Sequence, residues 1–124
     1  MTTPNLLNLT SITGTNAELT PANTTANVLV ANAIGSNQLL KVNQVVAANV
    51  NGAATVNATL AINSLASGAG TSYPIASAVP VPISASLIIV DKTTTVYLNE
   101  NQSLVVQSGT ASGLSYTASY EVMQ

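Results

Sequence analysis

Few side chains in this sequence can do chemistry, and their types exclude most catalytic mechanisms. Histidine and cysteine are absent, which removes the usual general base, the thiol nucleophile and nearly every transition-metal site. The two lysines, Lys41 and Lys92, do not follow a serine at the Ser-x-x-Lys spacing of a serine–lysine pair. We therefore predict that the protein is not an enzyme.

The carboxylates also lack the spacing of a reactive or metal-binding site. Glu18, Asp91, Glu100 and Glu121 are isolated from one another in the sequence, so they form neither a glycosidase pair nor a calcium loop. The glycines at 68 and 70 have no strand-to-helix context, which makes them part of a turn and not a phosphate loop. We predict no catalytic residue, no metal and no cofactor.

Four tyrosines are the only aromatic residues, and they divide into two pairs. Tyr116 and Tyr120 lie on the apolar side of a regular alternation, so we expect them in the core. Tyr73 and Tyr97 are the better candidates for exposure. A sugar-binding surface needs one or two solvent-facing rings, so a carbohydrate-binding or host-adhesion module is one alternative function.

Charged residues make up 5% of the chain, which limits its partners. Two lysines and no arginine cannot form a phosphate-binding stripe, so nucleic acid is excluded as a partner. The sequence has no basic amphipathic helix and no apolar run of roughly 20 residues, so we expect no membrane partner. The start, MTTPNLLNLT, lacks the basic and apolar regions of a signal peptide. A surface this poor in charge suits a subunit held in a larger assembly.

The stretch Gln38–Asn63 shows the clearest period-two alternation and predicts a β-hairpin. Asn51-Gly52 is a strong turn signal between its two halves. A three-residue loop with Gly52 in a bulge keeps one apolar face coherent. That register pairs Val46 with Val56, Val42 with Leu60 and Leu40 with Ile62.

Further strands are predicted at hairpin-like spacing along a single domain that spans residues 1–124. We place them at 6–13, 28–34, 84–91, 95–98, 103–107 and 114–122, with a turn over 14–23 and an edge strand only within the proline-containing stretch 64–82. We predict that residues 99–102 form a hairpin loop. The fold class is an all-β antiparallel sandwich of about eight strands, jelly-roll or immunoglobulin-like. The predicted core is Leu40, Val42, Val46, Val56, Leu60, Ile62, Leu87, Ile89, Leu104, Val106, Leu114 and Tyr120.

The C-terminal third resembles the ending of small β-sandwich virion proteins of tailed bacteriophages, including those that infect cyanobacteria. The resemblance lies in a strand at 96–98, a tight loop at 99–102, a Leu-x-Val strand at 104–106 and a closing Ser119-Tyr120-Glu121. VLVAN, residues 28–32, is similar to the family's layout before its central strands. The loop has Asn101-Gln102 where a Gly-Asp pair is expected. The resemblance implies a non-enzymatic capsid decoration protein or a neck or tail accessory subunit.

The resemblance implies a location in a virion, with the major capsid protein or other virion subunits as partners, and the charge-poor composition fits a structural subunit. We expect a homo-oligomer, because both the charge-poor surface and the small-side-chain core gain from contact with neighbours. A self-polymerising pilin-like or surface-layer subunit is a further alternative. The candidate interface residues are Leu6, Leu7, Leu9, Ile12, Tyr73 and Tyr97.

Overall fold

The computed structural model describes residues 5–124, and that part of the chain contains nine β-strands. A 3₁₀ turn, Leu6–Asn8, precedes them, and the Asn5 side chain caps it by accepting a hydrogen bond from the Leu7 amide. In chain order the strands are β1 (Ile12–Leu19), β2 (Asn27–Asn32), β3 (Leu39–Asn49), β4 (Val56–Asn63), β5 (Ser72–Val81), β6 (Ser86–Val90), β7 (Val96–Leu98), β8 (Gln102–Ser108) and β9 (Leu114–Met123).

The strands form two antiparallel sheets packed face to face. Sheet 1 has the order β1-β9-β3-β6, and the short β7 continues the edge that β6 begins along β3. Sheet 2 has the order β2-β8-β4-β5. The predicted all-β antiparallel sandwich is thereby confirmed.

The strand pairing is that of a jelly roll. β1 pairs with β9, β2 with β8, β3 with β6 and β4 with β5, as in one long hairpin whose tip is residues 64–71. Two further pairings, β3 with β9 and β4 with β8, roll this hairpin into two sheets. An immunoglobulin-like sandwich keeps its first two strands together in one sheet. Here β1 and β2 lie in different sheets.

The two predicted hairpins are wrong, because each joins strands of opposite sheets. β3 belongs to sheet 1 and β4 to sheet 2, so the turn with Gly52 at φ 75° crosses between the sheets. Likewise β7 and β8 lie in different sheets, and residues 99–101 connect them. An alternating strand with one buried face fits either sheet of a sandwich, so its pattern does not identify its hydrogen-bonding partner.

A β-bulge in β3 corrects the predicted core. The register between β3 and β9 shifts at Asn43, so the alternation inverts there, and Val45 and Ala47 are buried instead of Val46. Val46 is half-buried on the outer side. The other predicted core residues are either fully buried or half-buried. Fully buried are Leu40, Val42, Val56, Leu60, Leu104, Val106 and Leu114; half-buried and packed against the core are Ile62, Leu87, Ile89 and Tyr120.

The first predicted strand is shifted along the chain. Residues 6–8 form the 3₁₀ turn, and residues 14–19, predicted as a turn, belong to β1. The long strand β9 offers an unbroken ladder to β1 from Met123 to Tyr116, and this pairing outweighs the weak strand propensity of glycine and asparagine there. The predicted edge strand is confirmed as β5, which pairs only with β4 among the described strands.

Three consecutive strands each end at a buried asparagine that organises the loop after it. Asn32 donates to the Gln38 and Leu98 carbonyls at 2.9 and 3.0 Å. Asn49 donates to the Ala54 and Val81 carbonyls at 3.0 and 2.8 Å. The third, Asn63, donates to one carbonyl and one hydroxyl and accepts from two backbone amides of the loop 64–71. These side chains satisfy backbone groups that the end of a strand leaves unpaired.

Tyr116 joins the two sheets through the interior. Its side chain belongs to β9 of sheet 1, and its hydroxyl donates to the Gln107 carbonyl at 2.6 Å and accepts from the Thr59 amide at 3.2 Å in sheet 2. The ring is fully buried, and this burial raises the pKa of Tyr116 to about 12. A tyrosine with a satisfied hydroxyl thus fixes the stacking of the sheets.

Candidate functional site

One end of the sandwich, which we name the termini end, contains the chain segment 5–11, residue 124 and the loops 33–38, 64–71 and 99–101. Hydrogen bonds connect these segments in series. The Thr10 amide donates to the Gln124 carbonyl at 2.7 Å, and the Gln38 side chain donates to that of Gln124 at 3.1 Å. The Asn101 amide donates to the Asn32 carbonyl, and the Asn101 side chain accepts from the Ala66 amide. The termini end is therefore one continuous surface.

All six predicted interface residues lie at or beside the termini end. Leu7 is 91% exposed, and Leu6 and Ile12 are also exposed, whereas Leu9 is half-buried. Tyr73 is the second residue of β5, which begins at this end. The six residues do not form one patch, because Tyr73 lies on sheet 2 and Tyr97 on sheet 1.

Two further apolar residues at the termini end are exposed and were not predicted from the sequence. Ile34 and Leu65 lie in loops and are exposed. They are not part of a period-two pattern, so no alternation marks them. The charge of this end is low, since Glu100 is the one charged side chain in its described loops. One Glu100 oxygen accepts from the Gly35 amide at 2.9 Å, and the other is buried without a partner among the described residues.

A close approach at Gly68 holds the loop 64–71 on the outer face of sheet 2. A Cβ atom on this glycine would lie 2.8 Å from Cγ2 of Val28 and 3.3 Å from Cγ1 of Val105. Its φ of +78° also favours glycine. The Ser103 hydroxyl donates to the Leu65 carbonyl at 2.8 Å and fixes the same loop. The exposed Leu65 is therefore presented by an anchored loop.

A second feature lies on the outer face of sheet 1, away from the core. It is a recess of about 590 Å³ lined by Asn43, Gln44, Asp91, Lys92, Thr93 and Ser119. The recess is located where the edge of the sheet is interrupted, because β6 ends at Val90 and β7 begins at Val96. The β3 bulge at Asn43 lies at the same level.

Most of the chain's charge is gathered on this face. Lys41 and Glu121 are opposite one another in the ladder of β3 and β9, and they point outward, away from their buried neighbours. Asp91 and Lys92 lie in the turn above the recess. The pKa of the Asp91 carboxyl is lowered, because it accepts hydrogen bonds from the hydroxyl and the amide of Thr93.

The described residues contain no group of three or more acidic side chains that could hold a metal ion. The helix found within residues 5–124 is too short to cross a membrane. No protein-family model matches the chain, and no curated protein is significantly similar to it in sequence.

Proposed function

We propose that the protein is a non-enzymatic structural subunit of a phage virion, a capsid decoration or cement protein that binds the shell through its termini end. The observation that supports this proposal most strongly is the exposure of Leu6, Leu7, Ile12, Ile34 and Leu65 at one end of the sandwich. Scattered apolar residues are normal on a protein surface, whereas a concentration on one surface is typical of an interaction site.

The low charge of the termini end supports the same proposal. A contact made by apolar side chains and uncharged amides avoids the cost of removing charges from water. Asn5 and Asn8 flank the exposed Leu6 and Leu7 in the chain and supply amides there. The partner is the major capsid protein, or a neck or tail subunit if the chain is an accessory protein of that region.

The proposal includes a homo-oligomer as the form that docks. Symmetric repetition of the termini end would multiply a small apolar contact into a stable one. Light scattering of the purified protein tests this part. We expect a mass that is a multiple of the 12.5 kDa chain, whereas a monomer at all concentrations would contradict it.

Co-sedimentation with phage particles assembled without this chain tests the docking. Two variants remove apolar groups from the termini end, Leu7→Asn and Ile12→Asn. Two controls, Val50→Asn and Ile83→Asn, remove exposed apolar groups from the opposite end. We expect the first pair to weaken binding by about tenfold each, and the controls to bind like the wild type, because interface apolar residues contribute on the order of 1 kcal/mol or more.

Two results would overturn the proposal. One is that the wild-type protein does not sediment with the particles at any concentration. The other is that the Val50 and Ile83 variants lose binding while the Leu7 and Ile12 variants keep it. Melting curves of all four variants are the control for folding, because each side chain is exposed and its loss should leave stability nearly unchanged.

A further inference from the structure

We infer that the outer face of sheet 1 carries a binding site for a neutral saccharide, located in the recess below residues 91–95 with Tyr97 as its stacking ring. This inference goes beyond the proposed function, since it uses a different surface and a different class of ligand. It also selects Tyr97 over Tyr73 as the aromatic residue of the site.

The recess is made by two irregularities of the sheet at the same level. The chain leaves the edge after Val90 and returns at Val96, and the intervening turn is held by hydrogen bonds from Thr93 to Asp91 at 2.6 and 2.8 Å. Beside it, the extra residue Asn43 changes the direction in which β3 presents its side chains. A regular sheet would have a flat surface here.

The polar groups of the recess suit hydroxyl-rich ligands, which both donate and accept hydrogen bonds. Asn43 and Gln44 supply side-chain amides, and Ser119 supplies a hydroxyl. Two of these groups are already oriented by neighbours. The Asn43 amide donates to Glu121 at 2.7 Å, and the Ser119 hydroxyl donates to Asn16 at 2.8 Å. Within residues 5–124 no hydrogen bond uses the Gln44 side chain, so its amide is available to a ligand.

Tyr97 extends the same face toward the termini end. It pairs with Lys41, two residues before Asn43 in β3, and its side chain is 44% exposed between the inward-facing Val96 and Leu98. An exposed aromatic ring offers a flat apolar surface to the C–H face of a pyranose, and its hydroxyl remains free for polar contact. A sugar has an apolar C–H face and polar hydroxyl groups. A site with an aromatic ring at one end and amides at the other can contact both.

The charges around the recess favour a neutral ligand over an anionic one. Lys41 is opposite Glu121, Lys92 follows Asp91, and Glu18 points outward from β1 opposite Thr117, so this face carries two positive and three negative charges. A phosphate or an acidic sugar would gain no net attraction there. A neutral oligosaccharide is not repelled by this excess of negative charge.

A glycan array followed by titration of the best neutral oligosaccharide tests the inference. We expect wild-type protein to bind neutral glycans, and both Tyr97→Ala and Gln44→Ala to weaken the affinity by about tenfold, the effect of losing one ring contact or one buried hydrogen bond. Tyr97→Phe keeps the ring and should bind within about threefold of wild type, since only a hydroxyl is lost. Tyr73→Ala is the matched control, an exposed tyrosine on the other sheet, and it should bind like wild type.

Three results would overturn the inference: no neutral glycan bound by the wild type, binding that survives both Tyr97→Ala and Gln44→Ala, or binding lost in Tyr73→Ala. Should Tyr97→Ala fail to fold, Gln44→Ala decides alone, because that side chain is exposed and makes no hydrogen bond within residues 5–124. The outcome is separable from the docking experiment, since Leu7→Asn leaves the recess unchanged.

Discussion

The two ends of the sandwich are built alike inside and differ outside. At both ends a buried asparagine closes a strand, Asn63 at the termini end and Asn49 at the opposite end, and each satisfies backbone groups of the loop that follows. Outside, the opposite end exposes Val50 and Ile83, whereas the loops of the termini end expose Leu6, Leu7, Ile34 and Leu65, with Ile12 beside them. The asparagines serve the fold at both ends, whereas the exposed apolar side chains are not part of the core, and we attribute their surplus at the termini end to the proposed docking.

Replacing a leucine inside the sandwich and one at the termini end should give the largest contrast in stability. Leu60 is fully buried between the sheets, so Leu60→Ala should lower the free energy of unfolding by about 2–5 kcal/mol. Leu7 is 91% exposed, and Leu7→Ala should change it by less than about 0.5 kcal/mol. Urea denaturation of both variants measures the difference. Equal losses of stability would mean that Leu7 contributes to the fold, which would contradict its proposed role as a contact residue.

The strand-ending asparagines should contribute equally at the two ends. Asn49→Ala and Asn63→Ala each leave buried backbone groups without partners, and we expect losses of about 1–3 kcal/mol for both. Asn57→Ala is the control, because Asn57 is exposed on β4 and should change stability by less than about 0.5 kcal/mol. Thermal or urea unfolding measures all three. A loss of stability in only one of the two variants would contradict the prediction that Asn49 and Asn63 contribute equally.

Tyr116 should make stability fall at alkaline pH, independently of either end. Its pKa is raised from 10.0 to about 12, so the unfolded chain releases the proton first. The stability from this group is complete below about pH 10 and is lost as the pH rises toward 12, by roughly 2–3 kcal/mol. Tyr116→Phe should abolish most of this dependence while costing about 1–3 kcal/mol at neutral pH.

Tyrosinate absorbance and urea midpoints at several alkaline pH values measure the effect. Tyr120→Phe is the matched control, because it removes a tyrosine hydroxyl from the same strand without touching the hydrogen bonds of Tyr116. An unchanged midpoint in wild-type protein between about pH 9 and 12 would contradict the role of the Tyr116 hydroxyl.

Between about pH 5 and 9 the smallest effect is expected, for stability and for docking alike. The chain has no histidine, and the lowered pKa of Asp91 moves its titration further below this range, so its contribution is lost only as the pH falls through that lowered pKa. Docking through the termini end should also survive molar salt. The Debye length falls to about 3 Å at 1 M salt, but charges are scarce at this end, so little attraction is lost by screening. Release of the subunit from particles in salt would contradict an apolar contact.

Much of the sandwich follows from period-two alternation, and its failures have physical causes. β4 and β9 alternate regularly, and the structure buries Val56, Leu60, Leu114 and Tyr116 as their patterns predict. Which sheet a strand joins is not encoded in its own alternation, so the two hairpins were wrong. The bulge at Asn43 inverts the face of half of β3 without any glycine or proline to mark it.

The two candidate sites also differ in how far they can be predicted from the sequence. Leu6, Leu7 and Ile12, which the sequence suggested as candidate interface residues, are exposed at the termini end, and their role in an interface stays a prediction. The recess on sheet 1 could not be predicted, because it arises from a turn and a bulge that meet only after β3 pairs with β6 and β7. A site formed by segments that are distant in the sequence leaves no local pattern there.

Hydrogen exchange of backbone amides, measured for the free protein and for protein bound to the particle, tests whether the termini end is the docking surface. We expect new protection in segment 5–11 and loop 33–38 of the termini end, and unchanged exchange in loops 50–55 and 82–85 of the opposite end. Protection that appears at the opposite end or only on the outer face of sheet 1, with segment 5–11 unchanged, would contradict docking through the termini end.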